Sequence, residues 1–265
     1  MTDPATADAP VLLFERVDEH IALVTLNRPE KRHAINGALA RAIDAAVKTT
    51  ESDPGIWVTV LTCSGGPTFC AGADLSEVVA GRGHELSTPD GGFAGFVRSK
   101  RAKPWIVAIP GSALGGGLEI SLACDLRVCA DTSVLGLPEV KRGLFAGAGG
   151  VYRLPRQLPR AIALEMIALG EPLDAARALH FGLVNAVVPQ AEVLPRALDY
   201  ARRICENAPL SVRESLVIAR VAAEMREAEL EAMNDALGQR LGRTRDFAEG
   251  PRAFLEKRKP QWSGS

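Results

Sequence analysis

Apolar residues in the first two thirds of the chain fall into short runs that end at glycine, proline, serine or aspartate. Short runs rich in valine, isoleucine and leucine and bounded by such residues are typical of buried strands. The pattern therefore predicts strands at residues 11–14, 21–26, 58–62, 106–109, 126–130 and 184–188.

Helical spacing occurs between these runs. Leu39, Ile43, Ala46 and Val47 recur at i, i+4, i+7 and i+8, which places their side chains on one face of a helix. Strands that alternate with helices in this way predict an α/β fold.

The pattern becomes almost wholly helical after residue 190. We therefore expect an α/β core at residues 11–190 and a helical C-terminal region at residues 191–265, which packs on the core or on a neighbouring subunit.

Residues 79–104 are dense in Gly, Pro, Ser and Asp, and predict a long loop with at most one short helix. Loops of this length are commonly lids or binding loops. Residues 1–10, rich in Ala, Pro and Asp, are expected to be loose.

Composition and charge exclude several classes of protein. The chain has 265 residues, of which 47% are hydrophobic and 24% charged, as in an ordinary globular protein. Its formal net charge of -1 gives no overall field that would attract nucleic acid or an anionic membrane. No apolar run is long enough to span a bilayer, and the first residues lack the basic and apolar stretches of a signal peptide.

Cysteines and common motifs narrow the choice further. The five cysteines are an odd number without CxxC spacing, which indicates free thiols in a reducing cytoplasm rather than disulfides or a metal site. The chain lacks the Walker A, G-x-S-x-G, H-E-x-x-H and G-x-G-x-x-G patterns of the commonest nucleotide-binding proteins, serine hydrolases and zinc proteases. The four histidines are scattered, and the basic cluster Arg98, Lys100, Arg101 and Lys103 predicts a solvated helix end.

Three segments carry candidate chemistry. In the first, residues 68–75, small residues follow a strand, so a ligand can approach the backbone closely, and Asp74 predicts a helix start. In the second, residues 110–119, three consecutive glycines precede an apolar helix, and their N–H groups can face a developing enolate oxygen. Glu119 stands in this apolar run, where a carboxylate needs a specific partner or role.

Glu139 lies in the third segment, after a short apolar stretch and before more glycine-rich chain. Two carboxylates at one reacting centre push their pKa values apart, so that one serves as acid and the other as base. Addition of water to a conjugated alkene needs both roles, one at the β-carbon and one at the α-carbon.

Together these segments resemble the crotonase (enoyl-CoA hydratase/isomerase) superfamily. The resemblance rests on AGADL at 71–75, ALGGGLE at 113–119, and LPEV at 137–140 followed by GAGG. An LNRP segment at 26–29 and the EGPRAFLEKR segment at 249–258 extend it, so that it covers about residues 11–262.

This resemblance implies a spiral of ββα units with a helical C-terminal trimerisation region, assembled as a homotrimer or a dimer of trimers. It implies that Glu119 and Glu139 are the catalytic glutamates and that the Ala71 and Gly116 N–H groups form the oxyanion hole. No separate cofactor is implied, because coenzyme A enters as part of an acyl-CoA substrate. The implied substrate-binding residues are Lys31, His33, Ala34, Ala71, Gly72, Ala73, Asp74, Leu75, Gly115, Gly116 and Lys257.

The leading expectation is an enoyl-CoA hydratase, which adds water reversibly to a 2-enoyl-CoA thioester. The segments GGFAG at 91–95 and FAGAGG at 145–150 also resemble the carnitinyl-CoA dehydratase branch, which remains an alternative. An enoyl-CoA isomerase and a hydrolase on the same scaffold are further alternatives. A non-catalytic acyl-CoA binder is disfavoured, since it has no need of two acids at the reacting carbon.

Overall fold

The computed structural model describes residues 9–265 of the chain. The expectation of a loose N-terminus falls mainly on residues 1–8, which lie outside the described residues. The twelve strands within the described part are β1 Leu12–Asp18, β2 Ile21–Leu26, β3 Val58–Cys63, β4 Thr68–Cys70, β5 Ser87–Thr88, β6 Gly92–Phe93, β7 Trp105–Ile109, β8 Ser112–Leu114, β9 Leu126–Ala130, β10 Val134–Gly136, β11 Leu173–Asp174 and β12 Ala186–Val188.

Ten α-helices and four short 3-10 helices accompany these strands in residues 9–265. The 3-10 helices lie at Pro29–Lys31, Gly83–Leu86, Pro138–Arg142 and Gln190–Glu192. The α-helices are α1 Gly37–Ser52, α2 Leu75–Val79, α3 Gly116–Leu122, α4 Gly150–Gln157, α5 Arg160–Leu169, α6 Ala175–His180, α7 Val193–Cys205, α8 Pro209–Val221, α9 Glu227–Leu241 and α10 Arg245–Leu255.

The strands form a six-stranded sheet in the order β1-β2-β3-β7-β9-β12 and a four-stranded sheet in the order β11-β10-β8-β4. Only β1 and β11 run antiparallel to their neighbours in these two sheets. The chain alternates between the sheets, since β3, β7 and β9 enter the large sheet and β4, β8 and β10 follow in the small one. This repeat of a strand in each sheet followed by a helix is the predicted spiral of ββα units.

Both faces of the central strands β2, β3, β7 and β9 of the large sheet are buried, which explains why these strands are mainly apolar runs. Along β7, Trp105, Val107 and Ile109 belong to the main core, whereas Ile106 and Ala108 point to a second core on the opposite face. Helix α7 covers that second face with residues four apart, Val193, Ala197 and Ala201. The parallel sheet and its helices confirm the α/β prediction.

The C-terminal helices differ in how much of their surface is buried. Helix α8 is held to the core by Arg220, whose guanidinium donates to both carboxylate oxygens of Asp125 and to the carbonyls of Arg101 and Lys103. Helix α9 has no buried residue, and the apolar side chains of Phe254 and Leu255 on α10 are 83% and 79% exposed. Among residues 9–265, no helix has both the length and the apolar character that a membrane span requires.

The 79–104 segment contains the expected short helix, Gly83–Leu86, but also a small hairpin of β5 and β6 that the sequence pattern did not predict.

The prediction of a solvated helix end at its basic cluster was wrong for Arg101 and Lys103. The Lys103 ammonium is buried and donates to the carbonyls of Thr50 and Asp53 at the end of α1. These carbonyls have no partner within the helix, so the cation satisfies them.

Candidate active site

Three parallel strands of the small sheet end side by side and together position the site. Ala113 on β8 pairs with Cys70 on β4 and with Leu135 on β10, so the three carboxyl ends lie at one edge of the sheet. The segment after β4 contains the 71–75 motif, β8 leads into the three glycines, and β10 leads to Glu139. The register thus brings together the three segments that the sequence singled out.

A cavity of about 720 Å³ lies at this edge. Its walls come from the segments at 71–75, 114–119, 87–98 and 138–148, together with Arg32. The expectation that the 79–104 segment forms part of a binding pocket is therefore met by its residues 87–98. A cavity of this size is within the range of small-molecule sites.

Close packing of glycines forms the floor of the cavity. Gly72 has a φ of +92°, and a Cβ atom there would lie 2.9 Å from the Gly116 nitrogen. A Cβ atom on Gly116 would lie 2.5 Å from the Phe93 ring, and one on Gly117 would lie 2.2 Å from the Cys70 carbonyl oxygen. Side chains at these positions would force their neighbours to move. This explains why glycines stand here despite their cost in chain entropy.

The structure corrects one predicted donor of the oxyanion hole. The Ala71 N–H donates to the Arg32 carbonyl at 3.0 Å, so it has no free hydrogen for a ligand. A parallel bridge joins Ile35 to Ala73 and uses the Gly72 carbonyl and the Asp74 N–H. The Ala73 N–H, like that of Gly116, has no acceptor among residues 9–265, and both residues line the cavity. The backbone donors at this site are therefore Ala73 and Gly116.

Glu119 lies on the first turns of α3 and is 4% exposed. Its Oε1 atom accepts a hydrogen bond of 2.8 Å from the Gly150 N–H, at the start of α4. Burial raises the pKa of this carboxyl to about 7, and the nearby Glu139 adds to the increase, whereas the hydrogen bonds from the backbone of Gly150 and Ala148 oppose it. Near neutral pH the group is therefore close to half protonated.

Glu139 lies in the 3-10 helix that follows β10, and its carboxylate lies against Gly115. Burial raises its pKa, whereas the neighbouring Arg142 opposes the increase. Its Oε2 atom is buried and has no hydrogen-bond partner among the described residues. A buried carboxylate oxygen without a partner is costly, so a ligand or water that enters the cavity gains by bonding to it.

The residues of this site match a known family along most of the chain. The family model for enoyl-CoA hydratase/isomerase matches residues 16–265. The chain belongs to the enoyl-CoA hydratase/isomerase family. The resemblance to the crotonase superfamily is thereby confirmed.

Individual members of this family are similar over nearly the whole chain. Mevalonyl-coenzyme A hydratase of Aspergillus fumigatus is 39% identical, and the match covers 93% of this chain and 92% of the relative. The crystal structure of an enoyl-CoA hydratase from Mycobacterium tuberculosis superposes with a TM-score of 0.92 at 38% identity, covering 97% of this chain and 100% of the other. The crystal structure of a carnitinyl-CoA hydratase from Mycobacterium avium is 43% identical, with a TM-score of 0.77 and the same coverage.

The structure of this hydratase/isomerase family member brings most of the predicted site residues to one cavity. The cavity-lining residues among them are Ala71, Gly72, Ala73, Leu75, Gly115, Gly116, Glu119 and Glu139. No group of three or more His, Cys, Asp or Glu side chains in the described part of the chain is arranged to hold a metal ion.

Four predicted binding residues lie outside the cavity lining. The His33 side chain is buried, accepts from the Arg28 N–H at Nδ1 and lies 3.2 Å from the Gly65 carbonyl at Nε2. Burial lowers its pKa, so the ring is neutral. Asp74 caps α2 and pairs with Arg28 at 3.3 Å. Ala34 is buried. The exposed Lys31 ends a 3-10 helix outside the cavity lining.

Lys257 also lies outside the cavity lining of this chain, just after α10 and in a left-handed conformation with φ of +55°.

Sequence reasoning missed Arg32, which lines the cavity between the two predicted residues Lys31 and His33. It also missed Gly150 as the donor to Glu119. The repeated glycines at 147–150 were a signal for that donor, whereas nothing in the sequence distinguishes Arg32 from its neighbours.

The arrangement combines two backbone donors with two carboxyl groups in one partly enclosed cavity. The donors can stabilise negative charge on a carbonyl oxygen, and the carboxyl groups can transfer protons to and from the adjacent carbons. These are the functional groups that proton transfer next to a thioester carbonyl requires, as membership of the family predicts.

Proposed function

We propose that this protein is an enoyl-CoA hydratase that adds water reversibly to the double bond of a 2-enoyl-CoA. The observation that carries the proposal is the pair Glu119 and Glu139 in the cavity that also exposes the Ala73 and Gly116 N–H groups.

The thioester carbonyl oxygen would bind between the Ala73 and Gly116 N–H groups. Addition of water at the β-carbon moves negative charge onto that oxygen and gives an enolate. Donors that are already oriented stabilise the enolate more than the ground-state carbonyl, and the loss of one such donor in another enzyme costs about 3 to 4 kcal/mol.

The two glutamates would share one proton in the reactive state. The ionised carboxylate takes a proton from the attacking water, and the protonated carboxyl delivers its proton to the α-carbon. The pKa of about 7 at Glu119 and the raised pKa at Glu139 support this, because both groups hold a proton more readily than an exposed glutamate does. The retained pair also favours hydration over isomerisation, which needs no activated water.

Product analysis tests this proposal. Crotonyl-CoA incubated with the protein should give 3-hydroxybutyryl-CoA, which mass spectrometry detects as the addition of one water. A 3-enoyl-CoA incubated in parallel should not be converted to its 2-enoyl isomer at a comparable rate. Fast conversion of the 3-enoyl ester without hydration of either would contradict the proposal and indicate an isomerase.

A second candidate is a hydratase or dehydratase of a specialised acyl-CoA. The 43% identity to a protein named a carnitinyl-CoA hydratase and the 39% identity to one named a mevalonyl-coenzyme A hydratase favour it. The same glutamate pair and backbone donors would serve these esters, so the candidates differ only in the acyl group. Hydration of crotonyl-CoA far slower than that of a functionalised ester would favour this second candidate.

We also propose that the chain assembles as a homotrimer or a dimer of trimers and works in the cytoplasm. The exposed Phe254 and Leu255 on α10 support assembly, because large apolar side chains are seldom left in water in this number. All five cysteines are free thiols, as in a reducing compartment. The proposed reaction needs no cofactor, since coenzyme A arrives with the substrate.

A further inference from the structure

We infer that the acyl group of the preferred substrate ends in a carboxylate, which binds to Arg98 and Arg142. This inference rests on the proposed function and specifies its substrate class. Both arginines line the cavity that contains the glutamate pair.

The position of the thioester determines which wall the acyl group meets. With the carbonyl oxygen at Ala73 and Gly116, the β-carbon lies beside Glu119 and Glu139. Arg32 and Leu75 lie on the side of the cavity next to the 71–73 backbone, since the Arg32 carbonyl bonds to Ala71. The far end of the acyl group therefore meets the opposite walls, which the 87–98 and 138–148 segments form.

Arg142 is close to Glu139, and Arg98 lies in a segment that Arg153 contacts. Arg142 follows Glu139 by three residues in the same 3-10 helix, and its charge opposes the raised pKa of that carboxyl. Arg98 follows Val97, whose carbonyl accepts a hydrogen bond of 2.5 Å from Arg153. Arg153 in turn is close enough to lower the pKa of Glu119. Arg142 thus belongs to the wall beside Glu139, and Arg98 belongs to the wall that the 87–98 segment forms.

Neither guanidinium has an ion-pair partner in the described part of the chain. Within residues 9–265 no carboxylate lies within 4.0 Å of Arg98 or Arg142. Among the same residues the Arg142 guanidinium makes a single long contact, 3.4 Å to the Pro138 carbonyl, and no hydrogen bond engages the Arg98 guanidinium. Arg32 also lacks an ion pair within residues 9–265, but it lies next to the 71–73 backbone on the other side of the cavity, so Arg98 and Arg142 are the cations that the acyl walls offer to an anion.

Electrostatics then selects the kind of acyl group. The glutamate pair repels an anion, so a substrate carboxylate is tolerated only where fixed positive charge offsets that repulsion. Two guanidinium groups supply this charge and present the planar donor sets that suit a carboxylate. An acyl group ending in a quaternary ammonium would instead meet two unpaired cations.

Phenylalanine side chains complete the acyl end. Phe93 packs against Gly116, and Phe145 lines the cavity beside Leu144. These rings suit the short apolar part of an acyl chain between the double bond and a terminal carboxylate.

A pair of esters matched in length tests the inference. Glutaconyl-CoA and 2-pentenoyl-CoA both have five acyl carbons and a conjugated double bond, but only glutaconyl-CoA ends in a carboxylate. The measured quantity is the ratio of kcat/KM for glutaconyl-CoA to that for 2-pentenoyl-CoA. We expect the ratio to exceed 1 in the native protein. In Arg98→Met, in Arg142→Met or in both single variants, it should fall about 10- to 100-fold, because this is the range for loss of a charge-assisted hydrogen bond.

The control is Lys100→Met, which removes an exposed cation two residues from Arg98 and outside the cavity lining. This variant should keep the native ratio. Equal losses on both esters, with the ratio unchanged in both arginine variants, would overturn the inference, because the arginines would then contact the phosphates of coenzyme A. A native preference for 2-pentenoyl-CoA would also overturn it. Absence of hydration with either ester would instead overturn the proposed function.

Discussion

At the scale of single residues, the site depends on groups held in unfavourable surroundings. Glu119 is a buried carboxyl in an apolar helix, and its Oε1 atom accepts a hydrogen bond from the Gly150 N–H. Glu139 has a buried oxygen without a partner among the described residues. Such positions cost stability in the free protein and are kept where the chemistry needs them.

The raised pKa of Glu119 makes stability depend on pH. Between the ordinary pKa of 4.5 and about 7 the native state binds more protons than the unfolded state, so stability falls as pH rises through this window. The full penalty, reached above pH 7, is about 3 kcal/mol. Glu119→Gln cannot ionise, so it should gain up to this amount relative to the native protein between pH 4.5 and pH 8.

Urea unfolding at pH 4.5, 6 and 8 measures this difference. Glu231→Gln, which removes an exposed carboxylate on α9, is the control and should show no such trend. A difference between Glu119→Gln and the native protein that is the same at all three pH values would contradict the raised pKa.

The glycine floor gives a second prediction at this scale. In Gly72→Ala the new Cβ would lie 2.9 Å from the Gly116 nitrogen, at a φ of +92° that alanine rarely adopts. We expect kcat/KM for crotonyl-CoA to fall about 100-fold or more, because a shifted donor no longer matches the enolate oxygen. Gly65→Ala, where the Cβ has open space, should keep native activity. Native activity in Gly72→Ala would show that this contact does not shape the site.

At the scale of elements, strands within continuous apolar runs could be predicted from sequence, whereas short strands next to glycine could not. The six predicted strands correspond to β1, β2, β3, β7, β9 and β12. The strands β4, β8 and β10 have three residues each, too few for an alternating pattern, yet their register assembles the site. The sequence motifs indicated the correct segments. The choice between Ala71 and Ala73 as the free N–H donor, however, depends on backbone hydrogen bonds between the 71–74 segment and residues 32–35.

The link between α8 and the core provides the element-scale prediction. Arg220 forms two hydrogen bonds, of 2.7 and 2.8 Å, with the partly buried Asp125 and also binds two carbonyls of the 101–103 segment. Arg220→Met should therefore lower the free energy of unfolding by about 2 to 3 kcal/mol, as expected for loss of partly buried, charge-assisted hydrogen bonds. Thermal and urea unfolding measure the change.

The control is Arg202→Met, since the ion pair of Arg202 with Asp18 is exposed on both sides. Exposed pairs contribute little, so this variant should unfold almost as the native protein does. Equal effects of the two substitutions would contradict the assignment of Arg220 as the residue that holds α8.

At the scale of the whole molecule, the central strands of the large sheet are covered on both faces, whereas the C-terminal helices leave apolar surface open. Phe254 and Leu255 are the most exposed large apolar side chains of α10. Burial of each in an interface would contribute about 1.5 to 3 kcal/mol. This open surface is the physical basis for the proposed assembly through the C-terminal region.

Light scattering coupled to size-exclusion chromatography tests the assembly. The native protein should have three or six times the chain mass of 28.1 kDa. The double variant Phe254→Asp, Leu255→Asp should shift toward lower mass, because two charges would be buried in the interface. A native mass of one chain at micromolar concentration would contradict the proposal.

The central claim is that Glu119 and Glu139 together activate water beside an acyl-CoA carbonyl. Its most direct test is the loss of conjugated-thioester absorbance when crotonyl-CoA, or the best ester found, is mixed with the native protein, Glu119→Gln or Glu139→Gln. We expect rapid loss with the native protein and a rate lower by about 10²- to 10⁴-fold in each variant, with ester affinity little changed. A near-native rate in either variant would contradict the claim.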